Sequence, residues 1–144
     1  MRAANDLEIR PATAADAPLL GRFGTRLARL HHRMDPRRFF ATPGMEEGYA
    51  SWLAREMRSR KAVVLAAVSR PRGGARIVGY AYGRLEGRDW NTLRDPAGVG
   101  IDLYVVPAAR GRGVARALAL FERLGFRRTV IELTRETPHP ESDR

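Results

Sequence analysis

Residues 104–126 read YVVPAARGRGVARALALFERLGF, an apolar run followed at once by a proline, an arginine and glycine turn and a helix-like stretch. Pro107 has no N–H to give to a strand ladder, so a strand ending in Val106 stops there. A helix start near Arg112 then presents backbone N–H groups without intrahelical partners, at the positive end of the helix dipole. Glycine at 111 and 113 leaves no side chain to hold an anion off these amides, and Ala115 keeps the next turn thin. The amides of Arg112, Gly113, Val114 and Ala115, with the charges of Arg110, Arg112 and Arg116, suit a phosphate or pyrophosphate. The competing reading is a plain basic turn, because neither the P-loop ending nor the three-glycine dinucleotide fingerprint is present.

The strand before the turn offers a second kind of chemistry. Its alternation sets Asp102, Tyr104 and Val106 on one face and Ile101, Leu103 and Val105 on the other. Asp102 is the candidate general base, acting directly or through water; the alternative is a carboxylate paired with one of the many arginines. Tyr104 is either a pocket wall or core. His31 and His32 are adjacent, so they point apart on a helix, and with no nearby acidic cluster a metal site is not expected. Trp90, in a polar loop, either covers a substrate or anchors the loop.

These groups need a scaffold, and the pattern supplies one. LEIRP, from Leu7 to Pro11, alternates as a short strand. A helix follows, capped by Thr13 or Asp16, with Pro18 in its first turn and Leu20, Phe23, Leu27, Leu30 and Met34 as its core stripe. Asp35-Pro36 closes it. A second helix is expected from about Met45 to Arg60, with Tyr49, Trp52, Leu53 and Met57 on its apolar face. Strands are expected at Ala62–Val68, Arg76–Leu85 and Gly98–Val106, a helix at Val114–Leu124, a strand at Arg127–Thr134, and a frayed tail from 136 onward. The expected fold is α/β in the α+β sense, one domain over 1–144 with a mixed, mostly antiparallel sheet and helices on both faces.

Composition narrows the function. The chain of 144 residues has a single-domain length and 44% hydrophobic residues, so it is globular. Its net charge of +10 would suit an anionic partner, yet the charge is almost all arginine, with Lys61 the one lysine, and is spread along the chain. Solvated surface arginines are favoured over a nucleic-acid face, since no nucleic-acid-binding motif is present. The chain has no cysteine, which excludes thiol nucleophiles and Cys-based zinc sites. No apolar run approaches the roughly twenty residues of a membrane span, and MRAANDLEIRP lacks the apolar core of a signal peptide, so a cytoplasmic location is expected.

The segment IDLYVVPAARGRGVARAL resembles the acetyl-CoA signature of the GNAT superfamily of N-acetyltransferases, whose loop reads Gln/Arg-x-x-Gly-x-Gly/Ala. Arg110, Gly113 and Ala115 stand at its three defining positions, with Gly111, Arg112 and Val114 between them. LEIRPATAADAPLL is similar to the family's first strand and helix, AVVLAAV and RIVGYAYGRL to its central hairpin, and LFERLGFRRT to its late helix and strand. The resemblance implies acetyl-CoA as co-substrate and an amine of a small molecule or peptide as acceptor. It also implies loop amides on the pyrophosphate, and Tyr104, Val105 and Val106 beside the pantetheine arm, with the Val105 N–H as oxyanion donor.

Two departures accompany the resemblance. Where the family often carries a tyrosine that protonates the departing thiolate, this chain has Phe121. ARALAL also runs directly into FERLGF, so the strand that normally intervenes is missing. Either RRTVIELT takes that strand's place through a right-handed crossover, or a second copy of the chain supplies it in a homodimer, or the protein is a non-catalytic binding module of the same fold.

Overall fold

A computed structural model describes residues 6–114 of the chain. The expected helix beyond Val114, the strand at 127–134 and the tail, and with them Ala115, Arg116 and Phe121, lie outside the described residues.

The first strand, β1 (Leu7–Pro11), pairs antiparallel with β2 (Ala62–Ser69), from Leu7 opposite Ser69 to Pro11 opposite Leu65. As the edge strand it tolerates Pro11 in its last position. Asp16 then turns the chain: its Oδ2 accepts the Thr13 backbone N–H at 2.8 Å and the Arg10 guanidinium at 2.7 Å. Helix α1 (Ala17–Met34) follows, with Pro18 in its first turn, where a missing N–H leaves no bond unmade.

Helix α2 (Met45–Arg58) stops two residues short of the expected end. Ser59 is extended and donates its N–H to the Glu56 carbonyl at 3.0 Å, which closes the last turn. From there β2, β3 (Arg76–Glu86) and β4 (Ala97–Val105) form a meander, and the described sheet runs β1-β2-β3-β4 with every pair antiparallel. The strand whose pairing would make the sheet mixed lies outside the described residues.

Both helices pack on one face. Leu20 and Phe23 of α1 and Leu53 of α2 meet Val64, Tyr80, Tyr82 and Tyr104 of the sheet. On the opposite face Ala67, Val78, Ala81 and Val105 join Ala109 and Val114. The expected core stripe of α1 is too long, since Leu30 is 40% exposed and Met34 74%. The helix outruns the described sheet, so no described strand buries Leu30 and Met34.

Two bulges adjust the meander. Val78 is the extra residue of β3 against β2, and Ile101 the extra backbone position of β4 against β3. A bulge bends and twists its strand, and the second lies directly before Asp102.

Candidate active site

Asp102 projects from β4 to the helical face of the sheet. Its Oδ2 accepts two phenol hydrogens, from Tyr80 of the neighbouring strand at 2.9 Å and from Tyr49 of α2 at 3.0 Å. Its side-chain partners are therefore tyrosines, and no arginine pairs with it among the described residues. Both phenols are pushed well above the ordinary tyrosine range, first by burial and then by the negative charge of Asp102. They stay protonated and serve as donors, which leaves the carboxylate as the group able to take a proton.

The approach of α2 is set by a glycine. A Cβ on Gly24 of α1 would overlap the Tyr49 ring, so only a bare backbone lets that ring reach the sheet. Trp52, one turn on, holds its ring edge-on to both Tyr49 and Tyr82, at 5.5 Å and 4.8 Å between centroids. Glu56, another turn along, accepts from the Tyr82 phenol at 2.6 Å and from Arg84 at 2.7 Å. Three successive turns of α2 thus fix its rotation over β3 and β4.

Asp102 also lines a cavity of about 530 Å³ between the end of α1, the 35–44 loop and the start of α2. Leu27, Phe39, Phe40, Met45 and Trp52 supply its apolar walls, and His31 and Arg38 also line it. The loop is fastened by His32, whose Nδ1–H donates to the Phe39 carbonyl at 2.6 Å; a carbonyl only accepts, so this bond fixes the tautomer. His31 packs its ring on Phe39 at 5.0 Å. Trp90 is 78% exposed and does not line this cavity, so it neither covers the site nor anchors its loop by burial.

Beyond β4 the chain makes a 3-10 turn at Pro107–Ala109, then a turn at 110–113, and enters a helix at Val114. Gly111 and Gly113 are left-handed, with φ of 78° and 80°, and Arg112 between them is not. Such alternation is the backbone pattern of anion-binding concavities. A Cβ at either glycine would meet nothing within 4 Å, so the glycines serve conformation, and the space beside them is open. Arg112 is exposed and borders a second cavity of about 890 Å³ together with Val106 and Val114.

Three residues expected at the coenzyme direct their side chains to other contacts. Arg110 turns back: its Nε donates to the Val105 carbonyl at 2.9 Å and its guanidinium lies 5.7 Å from the Tyr104 ring centroid. Tyr104 is core, 6% exposed, with its ring 5.2 Å from that of Phe23. The Val114 side chain is buried in the second core cluster, so only its backbone faces the turn. Val106 donates its N–H to Val78 at 2.8 Å, and by strand alternation the polar groups of Val105 face away from β3. That edge of β4 is covered by no described strand.

The sequence profile of the acetyltransferase (GNAT) family matches residues 27–142, well over half the chain. The chain belongs to the GNAT acetyltransferase family. Solved structures share its fold at low identity. A tetramutant of the BH1408 protein from Bacillus halodurans is 19% identical with a TM-score of 0.63, over 92% of this chain and 99% of that one. The aminoglycoside 6'-N-acetyltransferase AAC(6')-Ih from Acinetobacter baumannii is 13% identical with a TM-score of 0.58, over 92% and 99%. The PaiA N-acetyltransferase from Thermoplasma acidophilum, solved in complex with coenzyme A, is 14% identical with a TM-score of 0.55, over 82% and 70%. No curated protein sequence matches the chain. Among the described residues no helix is long and apolar enough to cross a membrane, and no group of His, Cys, Asp or Glu could hold a metal ion.

As a GNAT domain the chain shows which of its features sequence reasoning missed. Tyr49 and Tyr80 were legible only as members of apolar runs, yet a buried phenol normally finds a hydrogen-bond partner, and that was the available signal.

Proposed function

We propose that the protein transfers acetyl from acetyl-CoA to a primary amine, with Asp102 as the base. The observation that carries this reading is the joining, on one strand, of a carboxylate that lines a cavity and an edge, covered by no described strand, that leads into the Gly111 and Gly113 turn. Family membership supports acetyl transfer, and the amine acceptor follows from Asp102.

The residues present suit the co-substrate. Gly111, Arg112 and Gly113 are exposed around a turn with two left-handed glycines, so their backbone would hold the pyrophosphate, with Arg112 as the nearby charge. Acetyl-CoA supplies an activated acyl group. The Val105 N–H, on the edge of β4 that no described strand covers, would steady negative charge on the thioester oxygen.

An amine enters the 530 Å³ cavity as its ammonium ion and meets Asp102. The carboxylate takes one proton, directly or through water, and the neutral nitrogen is then able to form a C–N bond as the C–S bond breaks. Asp102 passes that proton on to water and then takes the nitrogen's remaining excess proton, while the thiolate takes a proton from water. Tyr49 and Tyr80 hold Asp102 by its Oδ2 and keep their own protons.

A calorimetric titration with acetyl-CoA tests the binding half. Saturable binding in the wild type, lost in Gly113→Val with the fold retained by circular dichroism, is the expected result. A left-handed φ of 80° does not admit valine without strain, so the turn would be lost. Equal binding by both proteins would remove the turn from the site. Absence of binding by the wild type would leave a non-catalytic member of the fold.

A further inference from the structure

We propose that the outer face of α1 docks the protein on an anionic lipid bilayer. Arg22, Arg26, Arg29 and Arg33 are all exposed, and their spacing of four, three and four residues sets them on one face of the helix. At 1.5 Å per residue the stripe is about 16 Å long. None of the 18 residues of α1 is Asp or Glu, so nothing on the helix offsets this charge. The carboxylates that flank it are engaged elsewhere: Asp16 holds Arg10 at 2.7 Å, and Asp35 accepts the backbone N–H groups of Arg37 and Arg38 at 3.2 Å. Among the described residues no Asp or Glu forms an ion pair with any of the four arginines, Glu46 and Glu47 at the start of α2 included. Arg26 rests its guanidinium 5.9 Å from the Phe23 ring centroid and keeps its charge at the surface.

Charge alone would suit any polyanion, and the apolar neighbours decide between them. Leu30, 40% exposed, stands one turn from both Arg26 and Arg33, and Met34, 74% exposed, one turn from Leu30. The bond from His32 to the Phe39 carbonyl fastens the following loop to the same helix end and keeps Phe40, also 74% exposed, close to it. A lipid surface takes up both kinds of group: arginines meet the anionic headgroups, while Leu, Met and Phe enter the boundary with the acyl chains. A nucleic acid would use the arginines, but the aliphatic Leu30 and Met34 offer its bases no stacking face. The helix would lie on the bilayer, since no described helix is long and apolar enough to cross one.

Cosedimentation of the full chain with phosphatidylcholine vesicles, with and without about one third phosphatidylserine, tests the proposal. Binding to the anionic vesicles alone, weakened by added salt, is expected. Each arginine near such a surface strengthens binding about fivefold, the equivalent of about 1 kcal/mol, so Arg29→Gln with Arg33→Gln should weaken it roughly 25-fold. Arg60→Gln with Arg72→Gln removes the same charge from exposed positions outside α1 and should matter far less. Met34→Ser, at an exposed position, should also weaken binding to the vesicles. Absence of binding by the wild type, equal weakening by the two arginine pairs, or vesicle binding indifferent to Met34→Ser would overturn the proposal. Single-stranded DNA that strips the protein from the vesicles and binds Met34→Ser as tightly as the wild type would overturn it too, by assigning the face to nucleic acid.

Discussion

Tyr49 of α2 donates its phenol hydrogen to Asp102 of β4 at 3.0 Å, joining a helix to a strand 53 positions later. The bond couples the helical layer to the carboxylate on which the chemistry rests. Burial and the Asp102 charge together hold the Tyr49 and Tyr80 phenols above the ordinary range, with burial the larger cause. Asp102→Asn removes the charge and leaves the burial. Both phenols should then ionise at lower pH than in the wild type, though still above free tyrosine, in an ultraviolet phenolate titration. An unchanged titration would show that the carboxylate does not face them.

The same physics predicts an alkaline limit to stability. Tyr82 is pushed up to about 12 from an ordinary value of 10.0, mainly by burial and then by its bond to Glu56. Unfolded phenols release protons near 10 while the folded ones keep theirs, so the contribution is whole below 10.0 and is lost as pH rises toward about 12. Denaturant midpoints should fall through that window as the unfolding free energy drops by on the order of 1 kcal/mol per pH unit for each such phenol. Tyr82→Phe should flatten the slope, and midpoints that stay level in the wild type would refute the assignment.

Gly24 sets the spacing between the helices. Gly24→Ala pushes a methyl into the Tyr49 ring, and the overpacking should cost about 1–3 kcal/mol and draw the phenol away from Asp102. Gly48→Ala, in α2 with nothing within 4 Å of the added carbon, should instead stabilise by about 1 kcal/mol through helix propensity. Thermal unfolding of the two variants separates them, and similar shifts would contradict the close packing at Gly24.

Local pattern carried most of the scaffold. LEIRP was legible to the residue because alternation and a proline mark both the strand and its end, and AVVLAAV read as buried on both faces, which holds for Ala66, Ala67 and Val68 but not for Val63, 54% exposed nearer the start of β2. The end of α1 was not legible, since periodicity at Leu30 and Met34 records a helical face without saying where the opposing sheet stops. Asp102 could be placed on the correct face by alternation, but its tyrosine partners lie 22 and 53 positions away, beyond any local rule. Arg110 read as a phosphate ligand from its place in the turn, and nothing local in the sequence announced that its Nε would also serve the nearby Val105 carbonyl, which needs a donor.

The central claim is acetyl transfer with Asp102 as the base, and release of free thiol from acetyl-CoA with a panel of primary amines tests it most directly. The wild type should release thiol only when amine is present, and Asp102→Asn should do so at least about a hundredfold more slowly while still binding acetyl-CoA. Thiol release at equal rates by the two proteins, or none from the wild type with any amine, would contradict the account.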